Sequence, residues 1–477
     1  MLLYNTLGRE LREFMPIEAG RVGFYGCGPT VYNYAHIGNL RAYVTHDILA
    51  RTLRARGFDV KHVMNITDVG HLTGDNDEGD DKMLKSAEER GRDVLEIADF
   101  YTKAFFADTD RLNIVRPTIV CKATEHIDDM IALIRRIEAN GYTYSAGGNL
   151  YFDITKFSNY GKMAMFRLDE QTSETRVDAD GNKRNPRDFV LWFTKSKYEN
   201  QALVWDSPWG RGYPGWHIEC SAMSMKYLGE QFDIHAGGID HIAIHHTNEI
   251  AQSEAATGKT PCVKNWVHNE FLVLDRGKMS KSTGGFLTLQ TLVDRGYDPL
   301  DYRYFLLGAH YRSQLQFSFE ALDGAKNARR SLCDRVRALW NKERKGEMDG
   351  AAPYLEKFNA AMDSDLSTPR ALAELFGLLK DAEKDEIAPS AALTAISQMD
   401  EILGLNIKLS AESEETAGAS DSASMAEIRS IEERIAERAT AKRAKDFVKA
   451  DSIRAELKEK GIVVEDGPNG TIWRKLI

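Results

Sequence analysis

Three short stretches carry residue types able to do chemistry. IHHTNE (residues 244–249) sets His245 and Glu249 four apart, on one face of any helix drawn through them, where an imidazole and a carboxylate could share a cation. By themselves such residues are more commonly an exposed i,i+4 pair. His246 is a rival donor, and His245 is preferred because only it shares the face of Glu249 at the four-residue step. HIGN (His36 to Asn39) follows a glycine-ended apolar run. A helix starting there would point unpaired N–H groups and a partial positive charge at a phosphate. His36 could donate to a phosphoryl oxygen, and Gly38 lets the backbone lie close to a nucleotide. GKMSKS (Gly277 to Ser282) holds Lys278 and Lys281 in a glycine-rich stretch, and their ammonium groups could neutralise the charge that builds on a departing pyrophosphate. Read singly, HIGN is a turn and GKMSKS a solvated basic loop.

Elements that could position these residues are visible in the spacing. RVGFYGCG (21–28) reads as a strand ending in glycines. In the following stretch Leu40, Val44, Ile48, Leu49 and Leu53 recur at three- and four-residue steps, which predicts a helix stopping near Gly57. VKHVMNITD (60–68) reads as a second strand. Strand, loop, helix and strand in that order predict a parallel sheet whose ligand sits at the carboxyl ends of the strands. A helix over 127–141 and a polar stretch before residue 188 read as an insertion. Strands resume at DFVLWF (188–193) and FDIHAGG (232–238), and a helix runs from about His245 to Thr257. Beyond 300 the pattern is helical, notably at 321–340 and 369–385. The small, acidic residues 408–424 have linker composition.

The chain has 477 residues, 43% hydrophobic, and a net charge of −10. That charge disfavours a protein that coats nucleic acid nonspecifically, while leaving room for a local RNA-docking patch. Residues 425–477 carry twelve Lys and Arg against ten Asp and Glu, so the negative charge lies elsewhere. No run approaches the ~18 apolar residues of a membrane span, and the first residues lack a signal-peptide pattern. Cys27, Cys121, Cys220, Cys262 and Cys333 are an odd, scattered set, which points to a reducing cytoplasm with free or metal-bound thiols. Lacking a coiled-coil seam, the chain is expected to be monomeric.

HIGN and KMSKS on either side of a split sheet resemble the paired signatures of class I aminoacyl-tRNA synthetases. Within that class the chain is similar to the cysteinyl-tRNA synthetases: YGCGPTVYNYAHIGN, NITD (65–68), RNPRDFVLW (184–192), SPWGRGYPGWHIECSAMS (207–224), HHTNEIAQSEA (245–255), RYFLLGAHYRSQL (303–315) and EDGPNGTIWR (465–474) occur in family order. The resemblance implies an α/β fold. A Rossmann-type parallel sheet domain (1–115 and 201–300) is split by an insertion at 116–200. A helical bundle (301–407), the linker 408–424 and a small anticodon-binding domain (425–477) follow. It implies ATP-dependent ligation of L-cysteine to its tRNA through a cysteinyl-adenylate, with Mg²⁺ accompanying ATP.

By the same resemblance, one Zn²⁺ is held by Cys27, Cys220, His245 and Glu249, while Cys121, Cys262 and Cys333 are ordinary buried thiols. Zinc prefers thiolate to hydroxyl, so it would separate cysteine from serine where shape cannot. Thr30, Thr67, Trp216 and His235 would line the amino-acid pocket. Gly237, Gly238 and Asp240 would meet the ATP ribose, His36 and Asn39 the phosphates, and Lys278 and Lys281 the transition state. Lys442, Phe447, Asp451 and Asp466 are the anticodon candidates, where an aromatic ring can stack on a splayed base and carboxylates accept from base amino groups.

The sequence departs from the family in places. Asn39 replaces the second histidine of HIGH, Ile244 and Thr247 replace proline and glutamate beside the histidine pair, DLSTP (365–369) replaces DFNTP, and Phe447 stands where a tryptophan is expected. Two competing readings are a cysteine ligase acting on a small amine and a non-catalytic tRNA-binding paralogue. The C-terminal unit speaks against the first, and the intact KMSKS and ligand positions against the second.

Overall fold

The computed structural model describes residues 1–69, 93–165, 180–195, 203–274, 277–278, 287–342, 350–408, 410, 431, 434–435, 437–442, 446–459, 462–467 and 470–475. Its strands are β1 (Leu2–Asn5), β2 (Glu10–Glu13), β3 (Arg21–Gly26), β4 (Asp59–Ile66), β5 (Ile119–Lys122), β6 (Thr143–Ala146), β7 (Asn149–Phe152), β8 (Phe189–Phe193), β9 (Tyr213–Pro214), β10 (Phe232–Gly238), β11 (Val263–Asn269), β12 (Leu272–Leu274), β13 (Gly277–Lys278), β14 (Leu315–Phe317), β15 (Ile462–Gly467) and β16 (Gly470–Lys475). Its helices are α1 (Ile37–Ala55), α2 (Val94–Arg111), α3 (Ile127–Ala139), α4 (Trp216–Leu228), α5 (His245–Thr257), α6 (Leu289–Asp294), α7 (Pro299–Leu307), α8 (Phe319–Trp340), α9 (Ala352–Asp363), α10 (Thr368–Glu383), α11 (Pro389–Leu403) and α12 (Phe447–Glu459).

Five strands form a parallel sheet in the order β11-β10-β3-β4-β5. Its central strands are buried on both faces, as the apolar runs FYG, HVMNI and FDIHAGG require once helices cover a parallel sheet. The register aligns Gly26 with Met64 and with Ala236, and Gly238 with Asn269. Cys27, Thr67, Gly238 and Asn269 therefore emerge along one carboxyl edge, the edge where an open α/β sheet takes its ligands.

The insertion expected at 116–200 sits differently. Ile119–Lys122 pairs with β4 as the fifth parallel strand, and α3 contributes Ile127, Met130, Leu133, Ile134 and Ile137 to the core that also holds residues of β3, α4 and α5. The interruption is a four-stranded antiparallel sheet, β6-β7-β8-β9, which opens at Thr143 and reaches Pro214. The reason is register: IVCK satisfies the free edge of β4, which would otherwise expose unpaired N–H and C=O groups. Gly147 and Gly148, both at positive φ, turn β6 into β7, as a tight hairpin with two left-handed residues demands.

The second large core joins α1 to the helical layer, through Ile48, Leu49, Leu375, Leu379, Ile396 and Leu403 among others. Arg303, fully buried, donates to Asp47 Oδ2 (2.6 Å), Leu403 O (2.7 Å) and Leu112 O (3.0 Å). One side chain thus ties α1, the end of α2 and the end of α11. In the C-terminal unit, Ile453 and Leu457 of α12 pack with Ile431, Ile462 and Val464 over the β15–β16 hairpin. The linker expected at 408–424 lies outside the described residues except for Lys408 and Ser410.

Candidate active site and metal centre

A cavity of about 430 Å³ opens at the carboxyl edge of the sheet. Cys27, Thr30, His36, Asn39, Thr67, Trp216, Cys220, Gly237, Gly238, Asp240 and His245 all line it. Sequence segments two hundred residues apart converge there because β3, β4 and β10 are neighbours and α4 and α5 pack together over the sheet.

His36 is the N-cap of α1. Its Nδ1 accepts from Asn39 N at 3.1 Å, and Asn39 Oδ1 accepts from His36 N at 3.3 Å. This reciprocal cap uses the short amide of Asn39, which explains how the helix start tolerates asparagine at this position. No acidic residue stands in the first turn of α1, so the partial positive charge of its end is left for an anion.

At the other end of the cavity, the ligand atoms of Cys27, Cys220, His245 and Glu249 lie within 4.8 Å of one another, and all four residues are buried. His245 Nε2 is 3.1 Å from Glu249 Oε1, as the four-residue step along α5 dictates. His245 Nδ1 lies 2.9 Å from His217 Nδ1. With His217 accepting there, the Nε2 lone pair of His245 is free to face an ion. The donor set fits a dication. Burial pushes the Cys27 thiol up, and its hydrogen bond with Cys27 together with burial pushes Cys220 well up. An ion would stabilise both as thiolates. Burial alone would lower His245, but Glu249 and Cys220 push it up to about 10. Burial would raise Glu249, but His235 and His245 hold it below the usual carboxylate range. A second set, Cys27, His235, His246 and Glu249, is equally close.

His235, expected in the amino-acid pocket, is not among the residues that line the cavity. It is 1% exposed and lies behind the carboxylate, its Nε2 2.9 Å from Glu249 Oε2. Trp216, whose ring centroid is 4.4 Å from that of His245, and Thr67, which accepts from Asn65 Nδ2 (3.0 Å) and donates to Glu219 Oε2 (3.1 Å), both line the cavity. Gly28 is required at the mouth: a Cβ there would lie 1.7 Å from Asn65 O. At Gly238 a Cβ would meet Asp240 Oδ1 at 2.4 Å, and at Gly237 it would meet His241 and His246 at under 3 Å.

Lys278 belongs to β13, opposite Val273 of β12. Lys281 lies outside the described residues, as do the side chains of Lys278, Phe447 and Asp466. Lys442 and Asp451 are exposed.

Residues 13–327 match the family described as tRNA synthetases class I (C) catalytic domain. Residues 357–408 match the DALR domain, and 431–474 the cysteinyl-tRNA ligase anticodon binding domain. A cysteine–tRNA ligase of Treponema denticola is 59% identical, covering 99% of this chain and 99% of that protein. The chain belongs to the cysteine–tRNA ligase family. Relatives of that name in Treponema pallidum (46% identical, 99% of both chains) and Burkholderia lata (47%, 98% of this chain and 96% of that one) agree. Among solved structures, a methionyl-tRNA synthetase of Mycobacterium tuberculosis bound by methionyl-adenylate is similar in fold, with a TM-score of 0.56, 18% identity, and 80% and 90% of the two chains covered.

Several site residues carried no signal in the sequence that singled them out. Glu219, raised to about 8 by burial with Asp68 adding to it, was hidden beside Cys220. His241, lowered to about 4 by burial and by His245, lines the cavity. The run GGIDH, with a histidine and a carboxylate after the strand, was the available clue.

Proposed function

We propose that this chain activates L-cysteine with ATP and transfers it to its cognate tRNA. The observation that carries the reading is the convergence of two thiols, an imidazole and a carboxylate at one end of the cavity whose lining includes His36 and Asn39. Zinc held by Cys27, Cys220, His245 and Glu249 would supply a Lewis-acid position that prefers the thiolate of cysteine to the hydroxyl of serine. Mg²⁺ would accompany ATP.

The protein's part is positioning and charge. The amino end of α1 receives the phosphates, with the helix N–H groups and His36 as donors. Asp240 accepts from the ribose, and Gly237 and Gly238 keep that wall clear of side chains. Trp216 and Thr67 close the amino-acid pocket, with Thr30 opposite Thr67. The cysteine carboxylate attacks the α-phosphorus, pyrophosphate leaves, and Lys278 and Lys281 offset its growing charge. A ribose hydroxyl of the terminal adenosine then takes the cysteinyl group and AMP leaves. No covalent bond to the enzyme is needed, and orientation supplies much of the rate.

Lys442, Phe447, Asp451 and Asp466 are the residues we assign to anticodon contact. The protein is taken to act as a monomer in the cytoplasm. Five buried cysteines, none in a disulfide, suit a reducing compartment, and no described helix is long and apolar enough to cross a membrane. The test is cysteine-dependent exchange of pyrophosphate into ATP with metal analysis on the same sample. Exchange with cysteine, its absence with serine, and one zinc per chain are expected. Metal-free protein with full exchange would overturn the zinc assignment, and no exchange would overturn the ligase reading.

A further inference from the structure

We propose that His246 is a positioning residue which donates a hydrogen bond to the ligating sulfur of Cys27, and that Thr6 and His268 fix its proton on the nitrogen that does so. The inference rests on the zinc reading above. Three contacts form a chain. Thr6 Oγ1 lies 2.7 Å from His268 Nδ1, His268 Nε2 lies 2.7 Å from His246 Nδ1, and His246 Nε2 lies 3.3 Å from Cys27 Sγ. Every member is at least nine-tenths buried.

The direction of the chain follows from counting hydrogens. A metal-bound Cys27 is a thiolate, which only accepts. Its contact with His246 must therefore carry the proton on Nε2. His246 Nδ1 is then a lone pair that accepts from His268 Nε2–H. His268 Nδ1 in turn accepts from the Thr6 hydroxyl. In the reverse direction His268 would donate to Thr6 Oγ1. The Thr6 hydroxyl hydrogen would then have no acceptor among the described residues. A buried donor without a partner is costly, so both ends of the chain select the same order.

The Thr6 end, which selects this order without reference to the ion, favours one of the two possible ligand sets. With its Nε2 hydrogen directed at sulfur, His246 does not ligate, and the ion belongs to Cys27, Cys220, His245 and Glu249. A hydrogen bond to a ligating thiolate withdraws electron density from it. The cation becomes a stronger acceptor for a further sulfur, which is what a site that selects a thiol substrate needs. Support of this kind around a metal typically changes affinity or activity by about 10- to 100-fold when removed.

The test uses full-length protein loaded with Co²⁺ in place of zinc. The readouts are the sulfur-to-cobalt charge-transfer bands, metal stoichiometry, and cysteine binding by titration. For His246→Ala we expect one Co²⁺ per chain, charge-transfer bands moved to lower energy, and cysteine binding weakened about tenfold. His246→Gln, which retains an N–H donor, should recover part of both. Thr6→Val, at the far end of the chain, should move the bands the same way by less, and it answers the question should the histidine variants fail to fold. Unchanged bands and cysteine affinity in His246→Ala, or in Thr6→Val if that is the variant that folds, would overturn the proposal. So would cobalt bands showing the loss of a nitrogen ligand, because His246 would then itself hold the ion. Wild-type protein with no sulfur-to-cobalt bands would instead refute the zinc reading on which this rests.

Discussion

Asp108 offers a stability test whose sign and size follow from its surroundings. It lies in the last turn of α2, 8% exposed, with Oδ1 3.7 Å from the Arg111 guanidinium. Burial raises its carboxyl to about 6, and Arg111 pulls the other way only in part. The folded state therefore holds this proton more tightly than the unfolded chain, whose group titrates near 3.8. Below that value ionisation takes nothing from stability. As pH rises from there through 6, the buried charge lowers stability, and the loss is complete above 6. A rise from 3.8 to about 6 converts to ~3 kcal/mol at 1.36 kcal/mol per unit. With the side chain 12% exposed and Arg111 near, about 2 kcal/mol is the working figure. Asp108→Asn keeps the shape and removes the charge. At about pH 7.5 it should be more stable by about 2 kcal/mol, a Tm rise of about 3 °C for a catalytic unit spanning residues 13–327. At about pH 4 the two proteins should melt together. Thermal unfolding followed by circular dichroism across that pH range is the assay. A shift of equal size at both ends, or a loss of stability at pH 7.5, would refute the reasoning.

Other substitutions test the site and its support. Cys220→Ser should lower zinc content and abolish cysteine-dependent pyrophosphate exchange while leaving ATP binding in place, as metal analysis and nucleotide titration would show. Gly28→Ala forces a Cβ against Asn65 O at 1.7 Å, so the Cys27 loop must move and cysteine-dependent exchange should fall at least about 100-fold. The same exchange at Gly324, in the middle of α8 with nothing within 4 Å of the added carbon, should instead stabilise by about 0.5–1 kcal/mol in denaturant unfolding. Arg303→Met leaves the Asp47 carboxylate in a buried site without that partner and should destabilise by about 3–5 kcal/mol.

The parts of the fold written in local spacing were legible in the sequence. The apolar steps of 40–53 produced α1, and HHTNE with Gly258 as its stop produced α5, whose C-cap adopts the left-handed conformation there. Long-range pairing was not legible. IVCK is four unremarkable residues, and only the free edge of β4 makes it a sheet strand. His235 stands two residues before the glycines of its strand, so sequence could not say on which side of Glu249 it would fall. The Thr6–His268 contact spans 262 residues and left no trace in any motif. The cysteines, by contrast, were assigned through resemblance, and the geometry brings Cys27 and Cys220 together while Cys121, Cys262 and Cys333 are buried outside either ligand set.

The clamp that Arg303 makes has a mechanical corollary. Asp47 stands ten residues along α1 from Ile37, about 15 Å at the rise of an α-helix, and that rod ends at the cap facing the cavity. A stiff rod fixed at one end to the floor of a pocket and bolted at mid-length to a neighbouring layer cannot tilt alone. Any displacement of the helical layer would therefore be carried along α1 to the cap at the cavity.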